Sequence, residues 1–228
     1  MLLIGIDEAG YGPTLGPLCH GYAAFHCPPP TPSRKGRGNT EVPDLWALLH
    51  PAVSRHPATG NSITVDDSKK VYSPGLGLGL LTRGVAAFLG CAAARLDAED
   101  ALYQRLLPEA DRRRLEEDPW GQQLDGLANR AATVRERTLP LAYARGSETD
   151  SLRHTLKTRN IAVLALGARA LSAKHFNASL GGRENKADAS WRVIAAELQR
   201  LLALCADGED VHVTIDRQGG RKFYAAQL

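Results

Sequence analysis

The sequence predicts an α/β domain in which helices flank a mixed central sheet. Leu2–Ile6 is a continuous apolar run, as in a strand that is buried on both faces. Within 185–206, apolar side chains recur at steps of three and four residues, which is the spacing of an amphipathic helix. Residues 211–215 then alternate between apolar and polar side chains, as in a half-buried strand. A strand that follows a long helix in this way favours a mixed sheet covered by helices.

The composition indicates one globular domain over residues 1–228. Of these 228 residues, 43% are hydrophobic and 23% are charged, which is enough apolar material for a core. The net charge of +3 permits an anionic partner without requiring one. No stretch approaches the ~20 apolar residues of a membrane span, and the apolar N-terminus lacks the basic region of a signal peptide. The four cysteines form no C-x-x-C pair, so we expect reduced thiols, no zinc site and a cytoplasmic location.

Three further apolar segments predict strands. Gly21–Phe25 follows a turn at 10–17 that is rich in glycine and proline, so we expect it to form a hairpin with the first strand. Ile63–Val65 and residues 161–171 are the other two candidates. Together with the segments above, they supply enough strands for one sheet.

Helices are predicted at 78–94, 97–117 and 185–206. The first carries apolar side chains along one face, and the second is so highly charged that we expect it to face solvent. In the third, Asn185 can serve as the N-cap and Gly208 follows the C-terminal end as a stop signal.

Two segments predict no regular element. Residues 28–40 hold four prolines and three basic residues, which is typical of a surface loop or a disordered segment. Residues 119–160 have weak periodicity, and we interpret them as an insertion or loop segment. We expect Trp46, Trp120 and Trp191 to lie in the core rather than to stack on bases.

Two adjacent acids, Asp7 and Glu8, directly follow the first predicted strand. Burying a carboxylate costs several kcal/mol unless something compensates it, and oxygen-rich sites suit Mg²⁺ or Mn²⁺. Neighbouring strand residues point to opposite faces. Both acids can therefore ligate one ion only if the strand ends there, which Gly10 and Gly12 permit. The alternative is an exposed acid pair that caps a turn.

A third acid, Asp216, also ends an apolar strand. Two strand-end acids that are far apart in sequence can meet if their strands are neighbours in the sheet. A metal pair held there could activate a water and stabilise the leaving oxygen of a phosphodiester. The alternative is an aspartate that only initiates the turn before Gly219-Gly220.

A basic motif follows the strand candidate at 63–65, where Asp67 and Ser68 precede Lys69 and Lys70. Adjacent lysines after a strand could contact a phosphate backbone. Taken alone, such a pair is more commonly solvated surface.

Together, these motifs resemble those of type 2 ribonuclease H (RNase HII). The opening IGIDEAGYGP at 4–13 is similar to the family's Gly-Ile-Asp-Glu-Ala-Gly-Arg-Gly-Pro. DSKK at 67–70 is similar to its Asp-Ser-Lys-Lys motif, and VTIDRQGGR at 213–221 to the strand that carries its third acid. The resemblance covers both ends of the chain and little of the middle.

The resemblance implies an RNase H-like fold and endonucleolytic cleavage of the RNA strand of RNA–DNA hybrids. It makes Asp7, Glu8 and Asp216 the catalytic residues, as ligands of Mg²⁺ or Mn²⁺. It also places six residues against the nucleic acid, namely Gly10, Tyr11, Gly12, Ser68, Lys69 and Lys70.

The chain departs from the family pattern in three places. Tyr11 stands where the family has an arginine that reads the RNA–DNA junction, and tyrosine has neither the charge nor the bidentate fork of arginine. The family's fourth acid, on a helix after the third-acid strand, has no counterpart before Leu228, so we interpret the chain as truncated. Residues 97–160 have no counterpart either. We therefore expect weak metal binding and low or no nuclease activity.

Two other functions compete with this interpretation. A non-catalytic nucleic-acid-binding domain would bind a hybrid in a salt-dependent way without cleaving it. An actin-like phosphotransferase would need glycine-rich phosphate loops, which Gly219-Gly220 matches only weakly. Thermal stabilisation by nucleotides would favour the phosphotransferase.

Overall fold

The fold is built around a four-stranded sheet, seen in a computed structural model of the chain. The strands are β1 (Leu2–Ala9), β2 (Leu18–His26), β3 (Val53–Ser54), β4 (Ile63–Thr64), β5 (Ala162–Leu171) and β6 (Val211–Ile215). The order in the central sheet is β5-β2-β1-β6, whereas β3 and β4 form a separate two-stranded sheet. The structure describes residues 1–9, 17–28, 42–56, 60–72, 75, 77–92, 105–117, 146–180 and 185–216.

The central sheet is mixed, as the sequence predicted. β1 and β2 form an antiparallel pair from Leu2↔His26 to Ala9↔Cys19, which confirms the predicted pairing of the first two strands. β5 pairs antiparallel with the other side of β2. β6 runs parallel to β1, and their register extends from Leu2↔Val211 to Ile6↔Ile215.

The described residues form seven helices: α1 (Leu45–Leu49), α2 (Ser68–Val71), α3 (Gly79–Ala92), α4 (Glu109–Glu116), α5 (Ser147–Thr158), α6 (Ala173–Ser179) and α7 (Lys186–Leu202). Helices cover both faces of the central sheet. On one face, which we call the Leu3 face, Leu3 packs into a core with residues of α1, α3, α5 and the small β3-β4 sheet. On the other, the Ile4 face, Leu2, Ile4 and Ile6 pack against α7.

Helix α7 confirms the strongest helical prediction. Asn185 accepts hydrogen bonds from the N–H groups of Ala187 and Asp188, and Asp188 accepts one in return from the N–H of Asn185, so a capping box starts the helix. The buried Trp191, Ile194, Leu198 and Leu201 form its apolar stripe.

Two predictions about local structure are wrong. Residues 119–160 are not all loop, because α5 occupies Ser147–Thr158 and buries Leu152 and Leu156 in the core. Trp46 is 36% exposed rather than a core residue. The charged segment 97–117 contains α4, most of whose residues are exposed as predicted, and this helix also packs against β5.

A buried ion-pair network ties α4, β5 and α7 together. Asp111 of α4 is 1% exposed and Glu197 of α7 is 2% exposed. Arg169 of β5 lies between them: its Nε and Nη2 atoms donate to Asp111 at 2.7 and 3.0 Å, and its Nη1 donates to Glu197 at 3.3 Å. The N–H of Ala170 also donates to Asp111 at 3.1 Å. Burial alone would raise the pKa of Asp111, but these donors offset that effect and hold the pKa below its usual value.

Replacing Arg169 should destabilise the fold far more than breaking an exposed ion pair. Arg169→Met leaves two buried carboxylates without their shared cation, and we expect the free energy of unfolding to fall by about 3–5 kcal/mol. Arg153→Met is the matched control, because its pair with Asp150 is exposed and should be worth under about 1 kcal/mol. Urea unfolding of both variants measures the difference. Equal losses would show that the buried network does not stabilise the packing of α4 and α7.

Candidate functional site

Asp7 and Asp216 lie at the same end of two neighbouring strands. Ile6 and Ile215 are the last residues in register between β1 and β6. Asp7 is the next residue of β1, and Asp216 is the first residue after β6. Neighbouring strands are about 4.8 Å apart, so the two acids follow adjacent strands side by side. Both residues are exposed. The structure therefore brings together two acids that are 209 residues apart in sequence (216 − 7).

The sheet surface beside Asp7 is open and lined by small residues. Because Leu3 and Asp7 are an even number of residues apart on β1, Asp7 belongs to the Leu3 face. Gly21 of β2 is opposite Asp7 in register, and Ala168 of β5 is opposite Gly21. A Cβ placed on Gly21 or on Gly5 meets no described atom within 4 Å. Among the described residues, no side chain therefore fills the space above this part of the sheet.

Glu8 belongs to the opposite face from Asp7. The sequence predicted a first strand over Leu2–Ile6 and required it to end at the acids if both were to ligate one ion. β1 instead continues to Ala9 and pairs with β2 that far. Within a regular strand, Glu8 follows the alternation of Ile4 and Ile6 and belongs to the Ile4 face. As described, β1 does not present both acids to one ion.

A row of polar residues crosses the Ile4 face at the level of Glu8. In register, Glu8 of β1 is opposite His20 of β2, and His20 is opposite Arg169 of β5. His20 is 1% exposed, and its Nε2 atom is 2.8 Å from the Oγ atom of Ser190 on α7. The sequence alone does not identify His20 as a buried residue, since nothing local shows that α7 covers it.

Burial lowers the pKa of His20 to about 4, and the nearby charge of Arg169 acts in the same direction. His20 is therefore neutral at neutral pH. A neutral imidazole and the hydroxyl of Ser190 can share their short hydrogen bond without bringing a second cation next to Arg169.

The DSKK motif forms the short helix α2 and its N-cap. The carboxylate of Asp67 accepts a hydrogen bond from the N–H of Lys69 at 2.8 Å, so Asp67 caps the helix. The Nζ atom of Lys70 is paired with Asp66 at 3.1 Å. The Nζ atom of Lys69 has no partner among the described residues, and Ser68 is exposed. Of the two lysines, Lys69 is thus the better placed to contact a phosphate.

Three of the predicted substrate contacts, Gly10, Tyr11 and Gly12, lie outside the described residues. Within the described part of the chain, no three His, Cys, Asp or Glu residues are grouped so that they could hold a metal ion. The same residues include no helix that is both long and apolar enough to span a bilayer. All four cysteines are free thiols.

Comparisons with protein-family models, with curated proteins and with solved structures found no match. The functional interpretation therefore depends on the motifs and on the geometry of Asp7, Asp216 and their surroundings.

Acidification should destabilise the chain through His20. Because its pKa is about 4 in the folded chain against 6.5 for an unperturbed histidine, the unfolded state binds a proton first as pH falls. The contribution of His20 is fully present above pH 6.5 and should fall by about 3 kcal/mol between pH 6.5 and pH 4.

Urea unfolding at several pH values should show this fall in the parent and in His154→Gln, a change at an exposed histidine. In His20→Gln, the histidine-dependent part of the fall should be missing. Parallel pH curves for all three proteins would contradict the assignment of His20 as a buried neutral residue.

Proposed function

We propose that this chain is a nuclease domain of the RNase HII type, which cleaves the RNA strand of RNA–DNA hybrids with Mg²⁺ or Mn²⁺. The observation that carries the proposal is the parallel pairing of β1 with β6, because it puts Asp7 and Asp216 side by side. The mixed sheet flanked by helices agrees with the RNase H-like fold that the motifs imply. The opening motif at 4–13 and DSKK at 67–70 supply the link to the family.

The two carboxylates fit the ligand chemistry of a hard divalent cation. Asp7 and Asp216 are both exposed and offer oxygen atoms from adjacent strands, which suits Mg²⁺ or Mn²⁺. A bound cation supplies a more acidic water and neutralises charge that develops on the phosphodiester. In this proposal, Asp7 and Asp216 would hold the cation at their end of the sheet. Glu8 fits this set only if β1 bends beyond its described path.

The open part of the Leu3 face suits a polymer substrate. A floor that includes Gly5, Gly21 and Ala168 lets a sugar–phosphate backbone approach the sheet closely, because a Cβ on Gly5 or Gly21 would meet no described atom within 4 Å. Lys69 carries an ammonium group that has no partner among the described residues and can seat a phosphate. The substrate class is therefore an extended anionic strand rather than a small enclosed molecule.

The second candidate function is binding of nucleic acid without cleavage. It is favoured by one observation, namely that Glu8 and Asp7 belong to opposite faces of β1. With two carboxylates instead of three, metal affinity would be weak, while Lys69 and the open part of the Leu3 face would still be able to contact a nucleic acid. This candidate predicts salt-dependent binding of a hybrid and no metal-dependent turnover.

Removing one carboxylate should separate the two candidates. We expect the parent chain to cleave a uniform RNA–DNA hybrid slowly with Mn²⁺ or Mg²⁺. Asp7→Asn and Asp216→Asn should each abolish that cleavage, because an amide is a poor ligand for a hard cation. Denaturing gel electrophoresis of a labelled RNA strand measures it.

The control for this assay is Asp150→Asn, which removes an exposed carboxylate from α5. It should cleave as the parent does. A parent chain that binds the hybrid but never cleaves it would support the second candidate. Cleavage that survives in Asp7→Asn would sink the metal-site proposal.

Filling the open floor should block function while stabilising the fold. Gly21 is exposed on β2, and its Cβ would meet open space among the described residues, so Gly21→Val should raise the free energy of unfolding by about 0.5–1 kcal/mol. The same side chain should obstruct a nucleic-acid backbone beside Asp7 and reduce both hybrid binding and cleavage.

Ala162→Val is the matched control, because Ala162 is an exposed strand residue at the opposite end of β5 from Ala168. It should leave hybrid binding unchanged. Thermal unfolding and fluorescence anisotropy measure the two effects. If Gly21→Val binds the hybrid as tightly as the parent, the substrate does not lie on this surface.

A further inference from the structure

An exposed tryptophan and an arginine are stacked beside the DSKK motif. Trp46 of α1 is 36% exposed, and its Nε1 atom donates to the carbonyl of Val65 at 2.8 Å. The guanidinium carbon of Arg55 lies 4.1 Å from the centroid of the Trp46 ring. This is a cation–π contact on the protein surface. Since Val65 is four residues before Lys69, the stack lies next to the start of α2.

The acids around this stack are already engaged. Asp44 accepts hydrogen bonds from the first N–H groups of α1, and Asp67 does the same for α2. Asp66 is paired with Lys70. The hydrogen bonds from the N–H of Asp67 and from Lys70, with a smaller contribution from the charge of Arg55, hold the pKa of Asp66 below its usual value. The carboxylates of this surface are thus all engaged, whereas some hydrogen-bond donors remain without a partner among the described residues.

Those donors belong to Arg55 and Lys69. Among the described residues, the guanidinium of Arg55 forms no hydrogen bond or ion pair, and its contact is the ring of Trp46. The ammonium of Lys69 likewise has no partner in the described ranges. Both residues are exposed. We call Trp46, Arg55 and Lys69 the Trp46 platform.

The Trp46 platform lies on the same side of the sheet as Asp7. The segments that carry Trp46 and Arg55 pack, through Leu49 and Val53, into the core on the Leu3 face. Asp7 belongs to this face as well. A strand that passes Asp7 can therefore continue over the layer of α1, β3 and β4 without crossing to the other side of the sheet.

We propose that the Trp46 platform binds the backbone of a nucleic-acid strand, with Arg55 and Lys69 as the phosphate contacts. The proposal rests on the proposed function for the identity of the polymer. Stacking on Trp46 holds the guanidinium in one orientation before binding, so less rotamer entropy is lost when it meets a phosphate. The planar fork of Arg55 then donates to phosphate oxygens, while Lys69 acts as a point charge. The exposed part of Trp46 adds apolar contact with a sugar or a base.

Anisotropy of a labelled RNA–DNA hybrid tests the platform. All measurements are made without divalent metal in an Asp7→Asn background, so that cleavage cannot interfere. Between about 50 and 200 mM salt, Arg55→Gln and Lys69→Gln should each weaken binding roughly five- to tenfold. Each should also lower the slope of log affinity against log salt by about one, as the loss of one phosphate contact requires.

Variants of the aromatic ring separate binding from folding. Trp46→Leu should weaken binding about as much as Arg55→Gln, since Arg55 then loses its support, whereas Trp46→Phe should retain most of the affinity. Lys157→Gln is the control for a general loss of charge, because Lys157 is exposed near the C-terminal end of α5. It should change affinity less than twofold. Thermal unfolding of each variant identifies any that fails to fold, and Arg55→Gln, at an exposed position, should not.

The outcomes distinguish this proposal from the nuclease proposal. If Arg55→Gln and Lys69→Gln bind like Lys157→Gln, the platform is wrong, whatever the parent cleaves. If those two variants bind weakly while the parent chain shows no cleavage with Mg²⁺ or Mn²⁺, the platform stands and the catalytic proposal fails. If the Asp7→Asn protein binds no hybrid at low salt, the platform is also overturned.

Discussion

The parallel pairing of β1 with β6 is the constraint on which the candidate site depends. Parallel strands cannot be joined by a tight turn, so a crossover must carry the chain from one end of the sheet back to the other. The chain enters β6 from β5, which runs in the same direction, and α7 forms the main part of this crossover. The apolar stripe of α7 packs on Leu2, Ile4 and Ile6 of β1, the strand with which β6 pairs. In the resulting register, Asp7 and Asp216 follow the last paired residues, Ile6 and Ile215. A slip of one residue in this register would move every side chain of β6 to the other face.

The pleat of β1 gives its two acids different surroundings. Asp7 lies among small residues on the open part of the Leu3 face and is exposed. Glu8 is half-buried on the Ile4 face, in a row with His20 and Arg169. Charge on that face is balanced by keeping His20 neutral and by engaging Arg169 with Asp111 and with α7. The open face is suited to contact with an external ligand, whereas the covered face is organised by packing.

Sequence patterns predicted those elements whose signal is local. Helix α7 and β6 follow directly from periods of about 3.6 and 2 residues, and the N-cap at Asn185 is a short-range hydrogen-bond pattern. Helix α5 was missed because its segment is polar and offers only Leu152 and Leu156 as apolar anchors, while Thr149 is also buried. The helix is held in place by packing on α3 and α1, which a single window of sequence does not contain.

The end of the first strand was misjudged for a different reason. Asp7 ends the apolar run, but the hydrogen-bond ladder uses backbone groups and does not require apolar side chains, so β1 continues to Ala9. Burial of His20 and exposure of Trp46 are equally non-local, since each depends on which helix covers which face. Within the candidate site, the sequence indicated that Asp7 and Asp216 could meet if their strands were neighbours, because both follow apolar strands. It could not identify Arg55, whose position depends on its contact with a ring nine residues earlier (55 − 46).

The two candidate functions differ in what they require of the backbone after Glu8. Cleavage with three carboxylates needs β1 to twist or bulge so that Glu8 turns toward the Leu3 face, and a bulge next to a site is a common way to redirect a side chain. Binding without cleavage needs no such change, because Asp7 and the Trp46 platform already lie on the same side of the sheet. Under both proposals, the nucleic acid would approach the Leu3 face. The two candidate functions thus share one substrate class, and the direction of the Glu8 side chain decides between cleavage and binding alone.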